Sequence, residues 1–178
     1  CWIELQEIKG KVELGPKWEP LLLSREEIKQ QIPPILDWIE NTSKKTNYYL
    51  WGGTLGPNFD CSGLIQTAFS LRGIWIPRDS YQQEKFCRRI EFNKKTLEGV
   101  IPGDLLFFGN DKTCTHVAIY IGEGFYWHSS GKETGRNGIG KDTLKIISKN
   151  SISSYYHSIL RSAGRIENCH DGTELDLS

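Results

Sequence analysis

Five cysteines and four histidines carry most of the nucleophilic and proton-transfer capacity of this 178-residue chain. Asp60-Cys61-Ser62-Gly63 opens a run in which Leu64, Ile65, Ala68, Phe69 and Leu71 recur at helical spacing. Cys61 therefore falls in the first turn of a helix, where free backbone N–H groups and the helix dipole favour the thiolate. Asp60 is a natural cap for that helix, but its charge opposes the thiolate, so a basic partner is required. His116 lies in the alternating segment Thr115–Ile121, and His128 follows the turn Gly122-Glu123-Gly124. A three-residue turn pairs positions whose numbers sum to an even value, which puts both imidazoles on one face, opposite or diagonal. One ring would then face a nucleophile while the other sets its tautomer, the arrangement of Cys–His–polar catalysis. The same three side chains are an acceptable open zinc site, although no acidic general base accompanies them locally. Cys1, Cys87, Cys114 and Cys169 have no comparable setting and read as small buried side chains, and His157 and His170 as surface residues.

Positioning these groups takes helices first and strands after, an α+β fold with the nucleophile helix packed on an antiparallel sheet. Ser24 with Glu27 has capping-box spacing and begins a helix over about 24–42, which Pro33-Pro34 are expected to kink or break. The nucleophile helix ends near Gly73, and a short helix covers about 79–86. Alternation then predicts strands at Asp104–Gly109, Thr115–Ile121, Phe125–Ser129, a weaker one at Leu144–Ile147, and one at Ser158–Arg165.

Composition narrows the function. With 22 basic and 22 acidic side chains, neither nucleic acid nor an anionic membrane is an expected partner. The apolar runs are too short to span a bilayer. Five cysteines without CxxC spacing argue against a disulfide framework and for a reducing, cytoplasmic setting. A chain without methionine that starts at Cys1 reads as a fragment. A mature lipoprotein start is the less favoured reading, because bulky Trp2 follows the cysteine. Residues 1–8 alternate as one short strand with nothing to pair with, and 9–23, with two glycines and two prolines, read as a linker.

The motifs Tyr49-Leu50-Trp51-Gly52-Gly53, Asp60 to Gln66, Ile76 to Gln83, Pro102 to Phe108, Thr115 to Ile121 and His128 to Gly131 resemble, in order, the NlpC-type family of cell-wall cysteine peptidases. The resemblance runs over about 48–165. It implies a papain-like fold, Cys61 as nucleophile, His116 as general base and then acid, and His128 as the orienting third member. It also implies that the Tyr49 hydroxyl helps stabilise the oxyanion. Ser62 and Ser80 match positions that contact a D-glutamyl group, and Asp60 or Asp79 match positions that help hold a free amine. Trp51, Gly52 and Gly53 take a packing and backbone role. Thr46 to Gly53 and Gly131 to Gly140 are similar to a subgroup with N-terminal bacterial SH3-like modules. That subgroup cuts the γ-D-glutamyl bond to diaminopimelate or lysine in murein peptides with a free L-alanine. On this resemblance residues 1–8 are the last strand of such a module, 24–178 the catalytic domain, and the module's own amine-binding residues lie outside the chain. The expected enzyme is a monomer needing no cofactor and no metal. A Cys–His acyltransferase or amidase, or a non-catalytic wall-binding module, are the competing readings.

Overall fold

The computed structural model describes residues 22–134, 136–145 and 151–171. The strand and most of the linker expected over 1–23 lie outside the described residues. The chain enters helix α1 (Arg25–Ser43) through the capping box read from the sequence: Ser24 Oγ accepts the Glu27 N–H, and Glu27 accepts the Ser24 N–H at 2.8 Å. The expected helix is present and runs unbroken through Pro33 and Pro34, so of the kink or break expected there the break does not occur. The carbonyls that the two prolines leave unbonded belong to Lys29 and Gln30, which face solvent. On the opposite side Ile28, Ile35 and Ile39 bury against the core both before and after the prolines, and this packing holds one helix together.

Helix α2 (Cys61–Ser70) is followed by α3 (Ser80–Phe86) and a three-residue strand β1 (Arg88–Ile90). The chain then builds β2 (Leu105–Gly109), β3 (Cys114–Gly122), β4 (Phe125–Ser130), β5 (Gly138–Thr143), α4 (Ser151–Ser158) and β6 (Leu160–Arg165). All pairs in the resulting sheet are antiparallel, in the order β1-β6-β2-β3-β4-β5. The α+β expectation holds, with α2 on the sheet as foreseen.

β2 and β3 are buried on both faces, which explains their nearly continuous apolar sequences. Leu105, Phe107, Val117 and Ile119 meet α1 and α2 on one side. Leu106, Phe108, Ala118 and Tyr120 meet Tyr126, Tyr156 and Leu160 on the other.

Three elements depart from the sequence reading. β5, Gly-Ile-Gly-Lys-Asp-Thr, has weak strand propensity and exists because six of its residues pair with β4. The strand expected at Leu144–Ile147 does not begin at Leu144 or Lys145, and residues 146–147 lie outside the described residues. The strand expected from Ser158 starts at Leu160; before it stands α4, whose Ser153 and Tyr156 face inward three residues apart. The turn joining β3 to β4 is also tighter than the three residues expected. Glu123 and Gly124 form it with positive φ at both, while Gly122 stays in β3 beside a bulge.

Gly63 lets α2 lie directly against the loop that precedes it. A Cβ there would sit 2.1 Å from the Gly53 carbonyl oxygen, a backbone atom that cannot swing away. Gly63→Ala is expected to lower stability by about 2 kcal/mol, read as a lower denaturant midpoint at constant slope.

Candidate active site

Cys61 is the first residue of α2 and is 6% exposed. The turn that presents it is clamped from several sides. Asp60 caps the helix by accepting the Gly63 N–H at 2.7 Å, and it accepts the Gly52 N–H at 2.8 Å. Arg78 donates to both Asp60 oxygens, at 3.2 and 2.6 Å, and to Ser62 Oγ at 2.8 Å. Gln83, fully buried, donates to the carbonyls of Ser62 and Pro77. Ser129 Oγ on β4 donates to the Phe59 carbonyl at 2.7 Å and ties the loop to the sheet.

The β3–β4 ladder extends from the turn only to Ile119↔Trp127. Closer to α2 the Val117 N–H is directed at the Cys61 sulfur instead, which brings the thiol against the residue next to His116. Extending the ladder's register would place His116 opposite Ser130, so His128 is diagonal to it on the same face. The rings meet edge to face, with His116 Nε2 2.9 Å from His128 Nδ1. His128 Nε2 is in turn 2.8 Å from Asp142 Oδ2 on β5, and Asp142 again stands one diagonal step away, because His128 pairs with Gly140. Arg136 completes the row, donating to Asp142 Oδ1 at 2.5 Å and to Oδ2 at 3.1 Å. Four side chains thus form an oblique hydrogen-bonded row that starts beside Cys61.

Tyr156 of α4 lies over this row, 4.6 Å from the His116 ring centroid and 4.8 Å from that of His128. Burial pushes its hydroxyl up to about 12. Tyr49 is half-buried, its charge would feel Cys61, and burial holds its hydroxyl protonated as a donor.

Burial dominates the electrostatics. It holds His116 well below the ordinary imidazole value, with His128 adding to the effect, and it lowers His128 against the pull of Asp142. For Asp142 burial opposes the charge, but hydrogen bonds from His128 and Arg136 outweigh it and keep the carboxyl below its ordinary range. Burial pushes the Cys61 thiol up to about 11; the Val117 and Ser62 N–H groups work the other way, and Asp60 adds to the rise. The helix terminus alone therefore does not make a resting thiolate, in line with the basic partner that the sequence requires. These directions favour a neutral thiol beside neutral imidazoles at rest. Iodoacetamide labelling of Cys61 should accordingly accelerate steadily with pH through roughly pH 9, with no plateau near neutrality. A plateau below roughly pH 7 would show a preformed thiolate–imidazolium pair instead.

The structure brings Cys61, His116, His128 and Tyr49 together. Asp60 is present but engaged, its two oxygens shared among Arg78, Gly52, Gly63 and Ser62. Ser62 is buried and takes its hydrogen bond from Arg78. Ser80 is buried at the start of α3, where its hydroxyl meets the Cys114 thiol. Asp79, the residue before it, is exposed. Trp51 is 87% exposed, which removes the packing role expected of it, whereas Gly52 needs its positive φ and Gly53 its close backbone approach. Cys87 and Cys114 are buried and Cys169 is partly exposed, all of them free. His157 and His170 are both partly buried, and His170 packs on Phe86.

Asp142, Arg136, Arg78 and Tyr156 were not foreseen. Arg78 and Arg136 lie inside the motifs quoted above, whereas Asp142 and Tyr156 sit on β5 and α4, elements that the sequence pattern missed. The zinc arrangement does not fit this geometry. The two imidazoles direct facing nitrogens at each other and His128 spends its second on Asp142, so their lone pairs do not converge with Cys61 on one point. Among the described residues no helix is long and apolar enough to cross a membrane.

A family model, NlpC/P60 family, matches residues 46–161. A γ-D-glutamyl-L-lysine dipeptidyl-peptidase of Bacillus cereus is 43% identical over 84 residues, 46% of this chain and 24% of that protein. A bifunctional muramidase/DL-endopeptidase of Bacillus subtilis is 37% identical over 123 residues, 67% of this chain and 32% of that protein. The chain thus spans a quarter to a third of the length of these relatives. Among solved structures, an NlpC/P60 family protein from Bacillus cereus aligns at TM-score 0.56 and 32% identity, over 74% of this chain and 40% of that one. A lipoprotein-like NLP/P60 protein from Staphylococcus aureus aligns at TM-score 0.60 and 28% identity, over 77% and 41%. The matched segment contains every member of the row from Cys61 to Asp142, and the chain belongs to the NlpC/P60 family.

Proposed function

We propose that this chain is the catalytic domain of a cysteine peptidase that hydrolyses the γ-D-glutamyl bond to diaminopimelate or lysine in murein peptides with a free N-terminal L-alanine. The observation that carries the reading is the buried row His116–His128–Asp142 beside a cysteine at a helix start. Cys61 gives its proton to His116 and its sulfur attacks the γ-carbonyl of D-glutamate. The Tyr49 hydroxyl and the Cys61 N–H donate to the oxyanion in this reading. The imidazolium of His116 then protonates the departing amine of the diamino acid. Water resolves the thioester, with His116 again acting as base. The peptidase names of the relatives support the bond class, and the two sequence segments shared with the SH3-containing subgroup support the γ-D-glutamyl specificity.

For the substrate amine, Asp79 is the better placed of the two candidate carboxylates. It is exposed at the start of α3, whereas Asp60 already meets a guanidinium and two N–H groups. Ser62 and Ser80 remain the proposed contacts to the D-glutamyl group. Selection for the free amine rests in part on a preceding SH3-like module, and the cysteine pattern favours a cytoplasmic setting.

The test is to incubate the chain with L-Ala-γ-D-Glu-diaminopimelate, its lysine counterpart and N-acetylated forms of both, and to identify products by mass. L-Ala-D-Glu released from the free peptides only is the expected result. Equal cleavage of the blocked peptides would remove the free-amine specificity, and cleavage of none would remove the substrate assignment.

A further inference from the structure

The hydrogen-bonded row does more than connect side chains, because its far end determines where every proton in it sits. Asp142, nearly fully buried, is held as a carboxylate by Arg136 and offers only lone pairs. His128 must therefore donate its Nε2–H to Asp142. Being neutral, His128 then has a bare Nδ1, which must accept the Nε2–H of His116. His116, also neutral, is left with a bare Nδ1, the nitrogen a general base needs. Reversing any one proton reverses all the others and would place a proton on the nitrogen that has to receive one.

Arg136 has its own support. It leaves the chain just before β5 and folds back over Gly140; a Cβ at Gly140 would lie 2.4 Å from its Cδ and Nε. Gly140 has no positive φ, so its glycine is required by this overlap and not by the backbone. Gly140 also pairs with His128 across β4 and β5. The short Gly-Ile-Gly start of β5 thus admits the guanidinium to Asp142.

We propose that Asp142, clamped by Arg136 across Gly140, is a positioning residue that sets the tautomers of both imidazoles so that His116 turns an unprotonated Nδ1 to Cys61. The proposal rests on the Cys–His reading of the site given above. During attack the Cys61 proton moves to His116 Nδ1, while the Nε2–H keeps its bond to His128. The charge that forms on His116 is then relayed toward Asp142 by polarisation, without a second proton transfer.

Asparagine at 142 cannot satisfy the same neighbours. His128 and Arg136 direct three N–H groups at its two terminal positions, and an amide fills one of these with a donor. The test uses the chain labelled with 15N-histidine, read at a pH above imidazole titration. Unaltered protein should show the Nε2–H tautomer at both His116 and His128. Asp142→Asn should convert His116 to the Nδ1–H form, and kcat should fall on the order of 10²–10⁴-fold with KM changed about twofold or less. Gly140→Ala, which removes no polar group but displaces Arg136, should lower kcat roughly tenfold; it also carries the test should Asp142→Asn fail to fold. Both tautomers unchanged in folded Asp142→Asn, or kcat unchanged in Gly140→Ala, would overturn the proposal. If the unaltered chain cleaves no peptide, the peptidase reading fails, while the tautomer spectra still decide the role of Asp142.

Discussion

Cys61→Ala is expected to abolish cleavage of L-Ala-γ-D-Glu-diaminopimelate, a loss on the order of 10⁴-fold or more in kcat at unchanged fold. Among the described residues no other thiol sits at a helix start beside the imidazole row. Cys87 and Cys114 are buried, with burial raising both thiols, and Cys114 directs its thiol at the His116 carbonyl, 3.3 Å away. His116→Ala should cost nearly as much, because a thiol pushed up to about 11 is almost wholly protonated at neutral pH without a base to take its proton. Thiol and base act as one unit, so the double variant should be no slower than either single one. His128→Ala should lose less, on the order of 10²-fold, since it removes the partner that orients His116 and not the proton acceptor. Single-turnover measurements on the four proteins give these ratios directly. Equal losses for His128→Ala and His116→Ala would mean that the second imidazole handles a proton itself.

Arg78→Ala is expected to have the largest effect on stability. Arg78 alone among the partners of Asp60 brings a compensating charge, and the carboxylate it neutralises is 9% exposed. Removing the guanidinium leaves that charge with only N–H and hydroxyl donors, at a cost of about 2–3 kcal/mol. For a domain of this size the loss corresponds to a fall of roughly 5–10 °C in Tm. Activity should fall as well, since the Asp60-Cys61-Ser62 turn is what Arg78 fixes. Arg78→Lys should recover part of the stability but not the two-oxygen geometry. A melting curve unaffected by Arg78→Ala would show that the backbone N–H groups of Gly52 and Gly63 suffice.

The central part of this architecture was legible because local pattern and burial agree there. The stripe from Leu64 to Phe69 matches the face of α2 that packs, and the apolar run from Val117 to Ile121 matches a strand buried on both faces. The even pairing expected across the β3–β4 turn, which a bulge preserves, put two histidines on one side of a sheet. The residues missed lie where tertiary pairing overrides local preference. β5 is one-third glycine and is a strand only because β4 offers it a partner, so nothing announced that Asp142 would point along the same face as His128. α4 is serine-rich and held by two inward side chains, which concealed Tyr156. The prolines of α1 misled for the opposite reason: a local cost was visible, while the packing that outweighs it was not. The opposition of Asp60 to the thiolate was legible because it is local, whereas the larger effect of burial on the thiol is a tertiary one.

The row of imidazoles and carboxylate runs across the sheet from an inner strand to its rim, since among the described residues β5 has β4 on one side and no further strand on the other. Its members therefore belong to regions of unequal persistence: amides of β3 should resist hydrogen exchange until global unfolding, and those of β5 should exchange through local fraying. Each such opening carries Asp142 away while Cys61, His116 and most of the core stay in place. Catalytic competence is thus set by an edge strand of the sheet, and activity should fade with rising temperature several degrees before the helices melt.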